Sequence, residues 1–333
     1  MDRAHSTRGG HGESPRCVAL TGVHTTLGLR LASRLAAMPD GPDVLALDRR
    51  RPLALPRDVR FEAVDLSRLA SEKRLVQALE SAGVEALVHL AFRHVPTADH
   101  DSDRALETLG SRHCLAAVAE AGVRRFVMAS STMTYGPRPD NPNFLTESHP
   151  LHGHPDAHCV ENRVEVERMV ERWSAEHDEV DVCVLRGCWV VGPHTRDHVT
   201  RHLTRGTVPV VLGFDPLLQL VHEDDWLHAF EVAILEGVQG IFNVVGSGVE
   251  PLSKLLRSAG RRLLPLPSPL IEGAGSLLGT PSPGDPAKGF YDYLRYLWVA
   301  DGSLGWSTFG EPLYSTQEAW ASLVGAERPR RSA

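Results

Sequence analysis

Short apolar runs alternate with amphipathic stretches along the first 186 residues of the chain. The apolar runs predict strands, and the stretches between them repeat leucine and alanine three and four positions apart, as on one face of a helix. The predicted strands cover 18–21, 43–48, 60–66, 86–91, 125–131 and 180–186, and the predicted helices begin near 28 and cover 69–82, 103–120 and 160–174. Such alternation is typical of a parallel sheet with helices on both faces, so we predict an α/β fold with a doubly wound parallel sheet.

A glycine turn joins the first predicted strand to the first helix. In the segment T-G-V-H-T-T-L-G, Gly22 lets the chain leave the strand sharply and Gly28 lets the helix pack closely on the sheet. The free backbone N–H groups at the start of that helix favour an anion, and a dinucleotide pyrophosphate is the expected one.

An acidic residue closes the second predicted strand. Asp48 lies 20 residues beyond Gly28, where a dinucleotide-binding fold places a carboxylate on the adenosine ribose, although a solvated loop acid is the alternative. Arginines follow at 49–51, and one of them could bind a 2′-phosphate instead. The sequence therefore favours NAD as cofactor and keeps NADP open.

Composition narrows the function classes. A net charge of −7 argues against nucleic-acid binding, and no apolar stretch is long enough to span a membrane. The five cysteines are scattered and odd in number, which favours a reducing, cytoplasmic setting. The expected partner is a small-molecule substrate. Beyond residue 186 the pattern loosens to a strand at 217–221, a helix at 224–235 and a strand at 240–245. We predict a disordered tail over 1–14, a dinucleotide-binding domain over 15–186 with returning segments near 217–245, a substrate-side lobe over 187–216 and 246–325, and a frayed end over 326–333.

An ordered set of landmarks resembles the extended short-chain dehydrogenases, the NAD-dependent epimerase/dehydratase family, over about 16–325. The landmarks are the glycine turn, Asp48, D-L at 65–66, H-L-A at 89–91, S-S-T-M-T-Y-G at 130–136, L-R at 185–186 and H-E-D-D at 222–225. The resemblance implies a Rossmann-like fold with a small C-terminal lobe, oxidoreductase activity, and a homodimer formed through helices 103–120 and 160–174. It assigns the pyrophosphate to Gly22, Thr25, Thr26, Leu27 and Gly28, the adenosine to Asp48, Arg49, Asp65 and Leu66, the riboses to Leu90, Ala91 and Arg163, and catalysis to Ser131, Cys159 and Arg163.

Three positions depart from the family pattern. Thr25 replaces the middle glycine, and its Cβ narrows the approach of the backbone to phosphate. Glu107 replaces an asparagine of the long helix. Cys159 and Arg163 replace the catalytic pair Tyr-x-x-x-Lys, keeping its i, i+4 spacing on one helix face.

The third departure changes the chemistry. Arg163 can hold ribose hydroxyls but cannot give up a proton, because its pKa is about 12.5 or higher. The Cys159 thiol has an ordinary pKa of about 8.5, which a nearby cation is expected to lower, but its side chain stops short of where a phenol oxygen would lie. Three interpretations stay open: an oxidoreductase that uses Ser131 with Cys159 through water, Tyr135 or His158 as substitute acid; a catalytically silent dinucleotide-binding sensor or interaction protein; and a reaction with Cys159 as nucleophile.

The substrate and metal signals are weaker. In relatives acting on nucleotide sugars an asparagine after the Leu-Arg pair contacts the diphosphate, and Trp189 stands at the matching position. A bulky apolar ring there argues against a nucleotide-diphosphate substrate. The four histidines at 149–158 match no closed zinc spacing, so we predict no metal.

Overall fold

Seven parallel strands form the central sheet of the computed structural model, which describes residues 13–93, 97, 99–271 and 289–327. The strands are β1 (Cys17–Thr21), β2 (Asp43–Asp48), β3 (Arg60–Ala63), β4 (Ala86–His89), β5 (Arg125–Ser131), β6 (Asp181–Gly187) and β11 (Gly240–Val244). Their order is β11-β6-β5-β4-β1-β2-β3, and every neighbouring pair is parallel. The predicted doubly wound sheet is confirmed. Residues 1–12 and 328–333 of the predicted tails lie outside the described residues.

Helices cover both faces of this sheet. They are α1 (Thr26–Ala36), α2 (Ser71–Ala82), α3 (His100–Arg104), a π-helical turn (Ala105–Leu109), α4 (Gly110–Glu120), α5 (His158–Ser174), α6 (His198–Leu203), α7 (Glu223–Glu236), α8 (Leu252–Ser258), α9 (Ser303–Phe309) and α10 (Thr316–Glu327), with 3₁₀ turns at Thr132–Tyr135 and Phe290–Leu294. None of the helices within these described ranges is long and apolar enough to cross a membrane.

Alternate residues of each strand pack into different cores. Val18 and Leu20 of β1 join the core beneath α1 and α7, whereas Cys17 and Ala19 join the core beneath α2, α4 and α5. The side chains of a strand point to opposite faces in turn, so a strand that is apolar throughout requires cover on both sides.

Short strands build the lobe above the carboxyl ends of β5 and β6. They are β7 (Trp189–Val191), β8 (Thr207–Val211), β9 (Leu217–Leu218), β10 (Leu220–His222), β12 (Glu250–Pro251) and β13 (Arg262–Leu266), paired as β7 with β10, β8 with β13, and β9 with β12. The single strand predicted at 217–221 is divided at Gln219, because the part before it pairs with β12 and the part after it pairs with β7. The side-chain amide of Gln219 donates to the carbonyl oxygen of Ala300 and accepts its N–H.

The order of the strands reverses at β1. The chain passes from β1 outward to β2 and β3, then returns across β1 to β4 on its other side. A crevice therefore opens between the carboxyl ends of β1 and β4, the usual ligand position in an open α/β sheet. There the Thr21 hydroxyl lies 2.8 Å from Nδ1 of the buried His89 and accepts the N–H of Leu90, which fixes the two strand ends together.

Candidate functional site

The glycine turn at the end of β1 is shaped by a close backbone approach. Gly22 has φ +73°, and a Cβ added there would lie 2.5 Å from the carbonyl carbon of Leu90 at the end of β4. A side chain at this position would be both strained and obstructed. The neighbouring strand ends thus require glycine at 22.

Thr25 is the N-cap of α1. Its hydroxyl accepts the N–H of Gly28 at 3.0 Å and donates to the carbonyl oxygen of Gly22 at 2.8 Å. Within the described part of the chain, the backbone N–H groups of Thr26 and Leu27 have no acceptor. Two donors at the positive end of a helix therefore remain for a phosphate, in accordance with the predicted pyrophosphate turn.

Carboxylates border the next part of the crevice. Asp48 accepts the N–H of His24 at 3.1 Å and that of Arg49 at 2.8 Å, so its carboxylate lies beside the glycine turn. Partial burial tends to raise the pKa of Asp65, but hydrogen bonds from Ser67 and Arg68 outweigh it and lower that pKa. The lowered pKa keeps Asp65 an ionised acceptor at neutral pH.

One continuous cleft of about 970 Å³ connects these groups. All but one of the residues assigned from the sequence line it: Gly22, Thr25, Thr26, Leu27, Asp48, Arg49, Asp65, Leu66, Leu90, Ala91, Ser131, Cys159 and Arg163. Gly28 lies beneath the turn, where a Cβ would press on the carbonyl oxygen of Gly22. Residues that the sequence did not single out also line the cleft: Phe92, Met133, Arg196, His198 and Trp226.

The reactive end of the cleft lies between β5 and the first turns of α5. The Ser131 hydroxyl accepts the N–H of Met133 at 3.2 Å and lines the cleft. The guanidinium of Arg163 stacks on the ring of Phe92, 4.4 Å from its centroid. Phe92 follows Leu90-Ala91 directly in the chain, so its position one residue beyond a predicted binding segment was the available signal.

The expected lowering of the Cys159 pKa is wrong. Burial is the largest influence and raises the pKa of this thiol to about 11, and the negative charge of Glu107 raises it further. Arg163 acts in the opposite direction but does not outweigh them. Cys159 is therefore a neutral thiol at pH 7, which removes the basis for the nucleophile interpretation.

Glu107 lies in the π-helical turn, near enough to Arg163 for their charges to interact. It is fully buried and accepts the N–H of Arg93 at 2.9 Å and the amide of Asn162 at 2.8 Å. Burial raises its pKa, while the charge of Arg163 and these hydrogen bonds act against the rise. A π turn inserts one residue into a helix and is frequent at functional sites. Here it directs a carboxyl group toward the start of α5.

Two of the proposed substitute acids are not part of the cleft lining. Tyr135 is fully buried, donates to Oδ1 of Asn243 at 2.7 Å and accepts from Nη1 of Arg186 at 2.9 Å. Burial raises the pKa of Tyr135 to about 12. His158 is exposed at the start of α5 and packs against His100 with ring centroids 4.2 Å apart. The structure therefore brings together Ser131, Cys159 and Arg163 but neither of these two residues.

An aromatic wall of Trp189, Phe290 and Trp298 borders the cleft through Trp189. Trp189 is buried, stacks on Phe290 at 5.7 Å between centroids, and meets Trp298 edge-on at 5.0 Å. Its indole N–H points to Sδ of Met133 at 3.3 Å. The indole is therefore a mostly covered, apolar part of the cleft lining, and its one donor is already engaged.

The crevice at β1 and β4, the glycine turn and the strand-end acids define a dinucleotide-binding α/β protein. The NAD-dependent epimerase/dehydratase family model matches residues 18–244, and the chain belongs to this family.

Comparisons with individual proteins agree with that family. An uncharacterized protein of Mycobacterium tuberculosis is 28% identical over 316 residues, which are 93% of this chain and 84% of that protein. A 3-diazoavenalumate denitrifying reductase of a Streptomyces species is 27% identical over 259 residues, 74% of this chain and 81% of that enzyme. Among solved structures, the NAD complex of Thermus thermophilus UDP-glucose 4-epimerase superposes with a TM-score of 0.72 at 20% identity, covering 94% of this chain and 99% of that one. The dTDP-glucose 4,6-dehydratase of Streptomyces venezuelae superposes with a TM-score of 0.70 at 22% identity, covering 95% of this chain and 98% of that one. These two likenesses establish the fold.

Proposed function

We propose that the protein is an NAD-dependent oxidoreductase whose substrate is a small molecule without a nucleotide diphosphate. The observation that carries the proposal is the single cleft that joins the glycine turn to Ser131 and Arg163. Family membership supports NAD as the cofactor. A relative named as a reductase supports a reductive reaction on a substrate other than a sugar nucleotide.

The residues of the cleft fit a dinucleotide. The free N–H groups of Thr26 and Leu27 would hold the pyrophosphate, Asp48 would accept ribose hydroxyls, and Arg163 would donate to the second ribose. When bound, NAD supplies hydride acceptance, or donation in its reduced form. The chain itself contributes position and charge rather than a strong acid: Ser131 offers a hydroxyl to the reacting oxygen, and Arg163 stabilises negative charge developing beside it.

The aromatic wall carries the substrate part of the proposal. A diphosphate needs several donors, but the N–H of Trp189 is directed at Met133 and its ring face is apolar. Placing a diphosphate against this ring would cost its hydration without replacing the lost hydrogen bonds. A conjugated or aromatic body suits the same surface.

Cofactor binding is tested by titrating NADH and NADPH while following nicotinamide fluorescence. In Gly22→Ala the new Cβ collides with the backbone of Leu90, so we expect binding to be lost. Gly83→Ala is the matched control, since Gly83 also has a positive φ (+63°) but a Cβ there meets nothing within 4 Å. Wild-type protein that binds neither nucleotide would contradict the proposal.

The substrate class is tested separately. UDP-glucose should leave the melting temperature of the NADH-bound protein unchanged, and a rise would refute the exclusion of nucleotide diphosphates. Turnover is tested with the double substitution Cys159→Tyr and Arg163→Lys. If only this variant is active across a panel of carbonyl and conjugated substrates, the natural protein is a silent dinucleotide binder.

A further inference from the structure

Arg196 is an exposed cation at the substrate end of the cleft. It lines the cleft, and its Nη1 donates to the carbonyl oxygen of the preceding Thr195 at 2.7 Å. Within residues 13–93, 97, 99–271 and 289–327 no carboxylate forms an ion pair with it. The guanidinium therefore keeps most of its donors for a ligand.

The backbone on either side of Arg196 is anchored. The Thr195 hydroxyl donates to the fully buried Glu223 at 2.8 Å, and Nδ1 of His194 lies 2.6 Å from the same carboxylate. On the other side, Asp197 caps α6 by accepting the N–H of Thr200 at 2.8 Å, and the Thr200 hydroxyl accepts the N–H of Asp197 at 2.9 Å. A cation on so well-fixed a segment binds with little ordering cost in the backbone.

The anchored segment and the aromatic wall belong to one surface. The ring of His198 meets the ring of Phe290 edge-on, with 5.7 Å between centroids, and Phe290 in turn stacks on Trp189. Both Trp189 and Arg196 face the same cleft. An apolar aromatic residue and a planar cationic fork thus line the cleft in which one ligand would lie.

The negative charge of Asp197 beside Arg196 favours a ligand that carries a single negative charge. Asp197 also lines the cleft, one residue from Arg196, and would repel a second or third negative charge. A carboxylate places a single charge and two oxygens in the plane that a guanidinium fork matches.

We infer that Arg196 binds the carboxylate of a planar, conjugated monocarboxylic acid whose body lies against Trp189. This inference rests on the proposed function and specifies its substrate class. Arg196 is then a specificity-determining residue, while Ser131 and Arg163 act at the reactive end of the cleft.

The test is calorimetric titration of trans-cinnamate into NAD-saturated protein. We expect saturable binding in the wild type, weakened at least about tenfold in Arg196→Gln by loss of the charge-assisted fork. Arg201→Gln is the matched control, because Arg201 is an exposed arginine of α6 outside the cleft lining, and it should leave binding unchanged. Cinnamamide, which has the same body without the charge, should bind equally weakly to the wild type and to Arg196→Gln.

Each outcome decides the matter. No saturable binding of millimolar cinnamate, or equal affinity in wild type and Arg196→Gln, overturns the inference. Nicotinamide fluorescence is recorded on the same samples. Protein that binds NADH but ignores cinnamate fails only this inference, whereas protein that binds no NADH fails the proposed function.

Discussion

The Thr25 hydroxyl accepts the N–H of Gly28 at 3.0 Å and thereby caps the helix that the cofactor pyrophosphate would face. The residue that replaces a glycine of the family turn thus satisfies one orphan helix donor by itself. The side chain stabilises α1 and leaves the N–H groups of Thr26 and Leu27 for a ligand.

Removing this cap should destabilise the protein. Thr25→Ala is expected to lower the free energy of unfolding by about 1 kcal/mol, because the buried N–H of Gly28 loses its acceptor. Urea denaturation measures the change. Thr26→Ala is the control, since the exposed Thr26 hydroxyl makes no hydrogen bond within the described chain, and its effect should stay below about 0.5 kcal/mol. Equal losses in both variants would show that the cap has no energetic role.

Glu107 should make stability depend on pH. Its folded-state pKa is raised chiefly by burial, so the folded protein binds a proton more tightly than the unfolded chain does. Linkage then requires that this residue's contribution to the free energy of unfolding falls as pH rises from the ordinary glutamate pKa, about 4.3, through the raised folded value. In Glu107→Gln that decrease is removed, so the difference in stability between variant and wild type should move in the variant's favour as pH rises. A difference that is constant with pH would contradict the burial effect.

Cys159 should react slowly with alkylating reagents. With a folded-state pKa of about 11, its thiolate fraction at about pH 8 is on the order of a hundredfold lower than that of an unperturbed cysteine. Peptide mapping after iodoacetamide pulses should show much slower labelling in the native protein than in urea. Native labelling faster than in urea would restore the interpretation of Cys159 as a nucleophile.

Glu223 should contribute substantially to the free energy of unfolding. It is fully buried, pairs with Nη1 of Arg30 at 2.7 Å, and accepts from His194 and Thr195. Glu223→Gln is expected to cost about 1.5–3 kcal/mol, the usual range for hydrogen bonds to a charged group. The control is Asp224→Asn, because Asp224 pairs with the same arginine but is about one-third exposed, and solvent screening should hold its effect below about 1 kcal/mol. Thermal and urea unfolding distinguish the two variants.

The central sheet could be predicted because its signals are local. The strands expected at 43–48 and 125–131 match β2 and β5 at both ends, since a strand buried on two faces is a continuous apolar run. The lobe strands β7 and β12 escaped prediction because two or three residues cannot display a period. The helix expected at 103–120 contains a π turn, which depends on where the Glu107 side chain is buried rather than on any residue pattern.

The sequence predicted residues that line the cleft, but it did not predict the direction in which the Cys159 pKa is shifted. Turn and strand-end residues lie next to the cleft because parallel strands end at one edge. The Cys159 pKa was assigned the wrong direction because Arg163 is visible four residues away in the sequence, whereas burial and the charge of Glu107 come from tertiary packing. Arg196 was missed because only the fold places its loop beside Trp189.

The buried carboxyl group of Glu107 in the π turn also affects which substitutions the chain tolerates at position 163. Glu107 and Arg163 attract each other across two helices, and Asn162 links the same helices by a hydrogen bond. A neutral residue at 163 would leave a buried acid without its compensating cation, which is far costlier than losing both groups together. Substitutions at 107 and 163 are therefore expected to be non-additive: loss of the cation at 163 should cost more stability while glutamate stands at 107 than after that glutamate is replaced.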